Sequence, residues 1–266
     1  MMKEKPFLLL SNDDGFAAKG IQELIKVLRP MADLMVVAPS GPRSGASGSI
    51  TSEHPLRCTQ LKSEPGFTLY SCTGTPVDCV KLALHDLVPR VPDMVIGGIN
   101  HGDNSSVNVH YSGTMGVVIE GCLKGIPSVG FSLCNHDPEA DFTPTFPYIQ
   151  RLVEEVLLHG LPFGTCLNVN FPAVKELKGV RVCRQTNGVR VCRQTNGVWT
   201  NEFVKAVHPR GGYYYWLTGS YKNNEPDAED TDHWALDHGY VAVTPTQIDV
   251  TAYALKEELN HWNLQV

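Results

Sequence analysis

Two carboxylates stand side by side at Asp13 and Asp14, between Asn12 and Gly15 and just after the apolar run Phe7–Leu10. Neighbouring carboxylates repel, and burying both without a cation is costly. A hard divalent cation with oxygen ligands removes the conflict; magnesium typically takes one or two carboxylates together with waters. Gly15 lets the chain turn sharply beside such an ion. Taken alone, the same residues also fit a polar turn or the cap of a following helix.

Three further segments carry compatible chemistry. Ser40–Ser49, "SGPRSGASGS", is a glycine- and serine-rich loop whose backbone N–H groups suit an anion, or a plain surface loop. In Gly97–Asn104, "GGINHGDN", the Asn100 amide oxygen suits a hard cation and the Asn104 amide suits a phosphate. His101 in that segment reads as a bystander, as most loop histidines are. In Tyr111–Gly116, "YSGTMG", Ser112, Gly113 and Thr114 open a helix. Its free N–H groups form a ready anion site, or Ser112 simply caps it. Together the four segments point to metal-assisted phosphoryl hydrolysis, in which the ion polarises a phosphoryl oxygen and lowers the pKa of bound water. The chain has no P-loop, GxGxxG or GxSxG element.

The surrounding pattern has to bring these segments together. Phe7–Leu10, Leu34–Ala38, Asp93–Ile99, Ser128–Leu133 and Cys166–Phe171 read as buried strands, with shorter pieces at Leu56–Leu61 and Thr68–Cys72. Helical spacing is read over Lys19–Leu28, Ser112–Lys124, Phe146–Leu158 and from Thr75-Pro76 to Leu87. Apolar strands alternating with helices argue for an α/β fold, a mainly parallel sheet with helices on both faces. Ligands then bind beyond the carboxyl ends of the strands, which places all the polar strand ends on one rim.

After Phe171 the chain is β-branched and aromatic without intervening helices, which suggests antiparallel hairpins. The acidic stretch 223–232 reads as an exposed loop, Gly239–Thr244 as a strand, and Ala252–Trp262 as a closing helix. We divide the chain into a core, 1–178 and 239–266, and a β-hairpin arm, 179–238. Within the arm, "GVRVCRQTN" at 179–187 is repeated identically at 188–196. Asn187-Gly188 at the junction favours a type I′ turn that would pair Cys183 with Cys192 in an antiparallel hairpin. The other expectation is that one copy keeps the strand position and the second loops out. Neither supplies catalytic chemistry.

Bulk properties narrow the function. With 266 residues and 42% hydrophobic content, a full core needs no staples. A net charge of −6, from 22 basic and 28 acidic residues, disfavours a nucleic-acid polymer as ligand. The eight cysteines form no CxxC pair, which speaks for a reduced, cytoplasmic protein. Phe7–Leu10 is too short for a signal-peptide core, and no stretch reaches the ~20 apolar residues of a membrane span.

Seven blocks, in order, resemble the SurE (stationary-phase survival protein E) family of metal-dependent 5′-nucleotidases. They are "SNDDG", "VVAP…RSGASGSIT", "GTPVDCVKLAL", "GGIN.G.N", "YSGT…E", "LNVNFP" and "GYVAVTP". The resemblance implies a Rossmann-like core and a C-terminal arm used in homo-dimer or homo-tetramer formation. It implies one divalent ion, Mg²⁺, Mn²⁺ or similar, held by Asp13, Asp14, Ser44 and Asn100. It implies phosphate contacts at Asn104, Ser112, Gly113 and Thr114, and nucleoside monophosphates as substrates. Asp13 or Asp14 would orient the attacking water. Three features depart from the family pattern: Ser40 stands where an acidic residue is frequent, Asp103 adds a negative charge near the phosphate site, and the duplication falls in the arm. Two rivals remain. A haloacid-dehalogenase-type aspartyl nucleophile is disfavoured because Asp13 and Asp14 are adjacent rather than separated by one residue. The other is a non-catalytic nucleotide- or metal-binding regulatory protein.

Overall fold

The computed structural model describes residues 5–184, 192–207, 209–210 and 213–249. Its first half alternates as the pattern predicts: β1 (Phe7–Ser11), α1 (Lys19–Leu28), β2 (Asp33–Pro39), β3 (Cys58–Glu64), β4 (Phe67–Cys72) and α2 (Pro76–Leu82). There follow β5 (Met94–His101), α3 (Gly113–Leu123), β6 (Ser128–Leu133), α4 (Phe146–His159) and β7 (Thr165–Phe171). The second half holds β8 (Val180–Arg184), β9 (Cys192–Arg193), β10 (Gly197–Thr200), β11 (Phe203–Val207), β12 (Tyr213–Leu217), β13 (Ser220–Asn223), α5 (Asp232–Asp237) and β14 (Val241–Gln247).

Local chemistry sets several boundaries. Thr75 caps α2 in a capping box with Asp78, and Pro76 occupies its first turn. The helix expected to reach Leu87 is α-helical only to Leu82; Ala83–Leu87 continue in a wider turn. It stops at Val88, which is extended because Pro89 follows. Ser112 caps α3 by accepting the Met115 N–H.

The main sheet has ten strands in the order β3-β4-β2-β1-β5-β6-β7-β14-β8-β9. From β4 through β7 every pair is parallel; β3 and β14 run antiparallel to β4 and β7. Side-chain alternation then builds two cores. On β1, Leu8 and Leu10 pack with Ile21, Leu24 and Leu28 of α1 and Ile149 and Val153 of α4. Phe7 and Leu9 pack on the other face with Val77 and Val80 of α2 and Val117 of α3. Helices thus cover both faces, and β1 has no polar side.

The chain leaves β1 toward β2 on one side, and β5 pairs with β1 on the other. This change of direction opens a crevice at the carboxyl ends of β1 and β5. Asp13 and Asn100 stand at those ends.

The second half departs from expectation in two places. Val180–Arg184, expected within the arm, pairs with β14 in parallel and belongs to the main sheet. The duplication does not fold back as an antiparallel hairpin. Cys183 neighbours Cys192 and Arg184 neighbours Arg193 in parallel register, so equivalent residues of the two copies lie side by side. The first copy takes the position beside β14, and Cys192 and Arg193 of the second extend the sheet in parallel register. The junction residues Thr186, Asn187, Gly188 and Val189 lie outside the described residues, as does the expected closing helix Ala252–Trp262. The remaining strands form one antiparallel ribbon. Gly197 faces Asn223 and Thr200 faces Ser220; Phe203 faces Leu217 and Val207 faces Tyr213 in the same register.

Asp232 fastens the root of this ribbon. It is buried, and its Oδ1 accepts from the Thr195 N–H and hydroxyl, both at 2.9 Å, while Oδ2 accepts from the Ser106 N–H at 2.7 Å. Asp232→Ala leaves those buried donors unpaired and is expected to cost about 3 kcal/mol. Urea unfolding measures the loss. Hydrogen exchange should quicken at residues 195–200 while the β1 amides stay protected.

Candidate active site

β1 hands its rigid, doubly buried backbone to Asn12, Asp13 and Asp14. The loop that follows β2 folds over this end. Phe16 donates its N–H to the Pro39 carbonyl at 2.9 Å, and Arg43 donates to the Asp13 carbonyl at 2.7 Å. Gly15 has φ 97°, and a β-carbon there would sit 3.2 Å from Gly41, so the turn needs glycine. In the Ser40–Ser49 loop the N–H groups of Ala46 and Ser49 are taken by turn bonds, and that of Ser47 donates to the Tyr111 carbonyl at 3.2 Å. Ser44 and Gly45 are left lining a cavity of about 670 Å³.

That cavity brings together five of the eight residues singled out from the sequence: Asp13, Ser44, Asn100, Asn104 and Ser112. Asp14 lies next to it, accepting the backbone N–H of His101 at 3.2 Å. Thr114 stands behind Asp13 and donates its hydroxyl to Oδ1 at 2.6 Å. This commits the Thr114 proton to the carboxylate instead of to a ligand. Gly113 permits the approach: a β-carbon there would lie 2.7 Å from that of Asp13. Asn104 is turned partly inward, its amide donating to Ser132 Oγ at 2.8 Å and its backbone N–H to Asn170 Oδ1 at 2.7 Å. Ser112 accepts from Met115 and keeps its own hydroxyl proton available.

The electrostatics centre on the two aspartates. Asp13 is 5% exposed. Burial, aided by the charge of Asp14, pushes its carboxyl up to about 6 against the Thr114 hydrogen bond. Burial also raises Asp14, opposed by the His101 N–H and by the nearby rings of His101 and His136. Among the described residues neither carboxylate forms an ion pair. The Asn12 Oδ1 beside them is buried and accepts no hydrogen bond. Asn100 spends its amide N–H on the Gly102 carbonyl at 2.8 Å. This orientation leaves Asn100 Oδ1 as an acceptor. Unpaired carboxylates, an amide oxygen and a serine hydroxyl make an all-oxygen donor set, the chemistry of a hard divalent cation. Among the described residues no three His, Cys, Asp or Glu side chains cluster as a metal site, so such an ion would depend on Ser44 and Asn100.

Asp103 is held within its own turn. It accepts from the Ser105 N–H and hydroxyl and from Asn108 Nδ2, which spreads its charge over three donors. The sequence reading set His101 aside as a bystander and missed His136 and the lining residues of the ribbon. His101 and His136 flank the aspartates. Trp199, Glu202, Leu217, Thr218 and Gly219 come from the ribbon, some 85 or more residues after Ser112, and close the far wall. No local motif marks them, because only the ribbon's fold brings them over the cavity.

Without bound cation, the aspartates make stability pH-dependent. The native Asp13 carboxyl titrates near 6 and the unfolded one near 3.8, so the native state holds its proton more tightly. Its contribution is fully present below pH ~4 and is lost as pH rises through ~6, on the order of 3 kcal/mol. Urea unfolding in a chelator should show this fall between about pH 4 and 7, and Asp13→Asn should flatten it.

Comparison with known proteins agrees with this geometry. The family model described as Survival protein SurE matches residues 8–192. A protein of Phocaeicola vulgatus named 5′-nucleotidase SurE is 67% identical over 266 residues, covering all of both chains. A Bacteroides thetaiotaomicron protein of the same name is 54% identical, covering 100% of this chain and 99% of that one. The crystal structure of the SurE protein from Aquifex aeolicus superposes with a TM-score of 0.79 at 34% identity, covering 96% of this chain and 98% of its own. By its seven sequence blocks, its crevice and these relatives, the chain belongs to the SurE family.

Proposed function

We propose that this chain is a metal-dependent 5′-nucleotidase that hydrolyses nucleoside 5′-monophosphates to nucleoside and phosphate. The observation that carries the reading is the unpaired Asp13–Asp14 pair, Asp13 buried and Asp14 half-buried, with Asp13 lining the same cavity as Ser112 at the N-terminus of α3. Relatives named 5′-nucleotidase SurE support the activity. In this reading Asp13, Asp14, Ser44 and Asn100 hold one Mg²⁺ or Mn²⁺. When bound, such an ion polarises a phosphoryl oxygen and makes water more acidic.

The chain's own residues supply positioning. The Thr114 N–H at the start of α3 and the Ser112 hydroxyl take phosphate oxygens, helped by the positive end of the helix. Asn104, braced by Ser132 and Asn170, contributes its remaining polar edge. Asp13 or Asp14 accepts a hydrogen bond from the attacking water and turns its lone pair toward phosphorus. Thr114 and Gly113 keep Asp13 in place. The P–O bond to water forms as the bond to the 5′ oxygen breaks, and the nucleoside departs with a proton.

The ribbon leaves Phe203, Val204, Val207 and Leu217 exposed, which suits assembly between copies of this chain. Size-exclusion chromatography should show a dimer or tetramer, and a monomer would contradict that role.

Purified protein with Mn²⁺ or Mg²⁺ should release phosphate from AMP or GMP, and a chelator should abolish the release. Asp14→Ala should lower kcat by about 10²-fold or more. Full metal-dependent activity in that variant would overturn the assignment.

A further inference from the structure

The cavity extends beyond its phosphate-holding end, and its far wall is built from the ribbon. Trp199 is fixed there from three directions. Its Nε1–H donates to Asn108 Oδ1 at 3.0 Å. Its ring meets the edge of Tyr221 at 5.9 Å and 69°. Gly219 lies against it so closely that a β-carbon would sit 3.1 Å from Trp199 Cε3. Tyr221 is itself held, donating to Ser106 Oγ at 2.8 Å and stacking on His233 at 4.5 Å. The indole is therefore preorganised, yet it is only partly buried and lines the cavity.

Tyr111 lines the same cavity one residue before the cap of α3, and it is 58% exposed. A rigid indole and an accessible phenol in one polar cavity suit a planar heterocycle, since every base offers a π-face for stacking. Glu202 lines that end as well, and among the described residues its carboxylate has no hydrogen bond or ion pair.

We propose that Trp199 and Tyr111 form a nucleobase subsite and that Glu202 makes it selective for purines carrying an N1–H. The proposal deepens the nucleotidase reading and rests on it for the placement of the phosphate. A carboxylate only accepts hydrogen bonds. Guanine presents N1–H and N2–H₂ along one edge, and hypoxanthine presents N1–H. Adenine and cytosine place a ring acceptor at the corresponding position, which a carboxylate repels. A site built around a particular hydrogen bond rejects analogues that lack it more strongly than an apolar pocket does.

The test compares wild type with Trp199→Ala, Trp199→Phe and Glu202→Gln. Phosphate release is measured from GMP, AMP and ribose 5-phosphate, and guanosine binding is measured by calorimetry in a chelator. Trp199→Ala should raise KM for GMP about tenfold while leaving kcat/KM for ribose 5-phosphate, which has no base, within about twofold. Trp199→Phe keeps a stacking face and should recover most of the loss. Glu202→Gln should cut the GMP-to-AMP ratio of kcat/KM about tenfold. An equal loss on ribose 5-phosphate would make Trp199 merely structural and overturn the subsite. An unchanged GMP-to-AMP ratio in Glu202→Gln would overturn the selectivity. If none of the three phosphates is hydrolysed, the nucleotidase reading fails and guanosine decides the subsite. Binding lost in Trp199→Ala supports it; no saturable binding to wild type overturns it.

Discussion

The cost of holding two adjacent carboxylates away from water organises this molecule. Asp13 is almost fully buried, Asp14 partly so, and among the described residues no cationic side chain pairs with either. Everything around them reads as management of that cost. A strand buried on both faces fixes their backbone. The Thr114 hydroxyl and the His101 N–H each support one carboxylate. Gly113 allows the helix N-terminus to approach, where its positive end favours negative charge. The donors reduce the cost without cancelling it, since both carboxyls remain raised. A divalent cation is the partner that the arrangement lacks.

Much of this was legible in the sequence because it depends on short-range pattern. Apolar runs of strand length gave β1, β2, β5, β6 and β7. Helical spacing gave α1, α3 and α4. The polar residues just after those strands had to share a rim once the sheet was parallel. Capping chemistry at Thr75-Pro76 and Ser112 located two helix starts. Adjacent aspartates stood out because side-by-side carboxylates after a buried strand are an electrostatic anomaly.

What stayed hidden depends on long-range placement. Trp199 and Glu202 reach the cavity only because the ribbon is anchored by Asp232, which binds Ser106 and Thr195 across 126 and 37 residues of chain. An isolated aspartate in an acidic stretch gives no sign of such a role. Thr114 looked like a substrate contact because it opens a helix; its use as a brace for Asp13 follows from a contact 101 residues away. The Asn-Gly junction of the duplication argued for a hairpin on local turn preference, but parallel register at the edge of a ten-stranded sheet prevailed. Local preference decides a turn only when the strands it joins have no better neighbour.

The most direct test of the central claim is calorimetric titration of Mn²⁺ into chelator-stripped protein, compared with Asp13→Asn. The account predicts saturable binding of one ion per chain, lost or greatly weakened in the variant. Absence of saturable binding, or binding unchanged in Asp13→Asn, would contradict it.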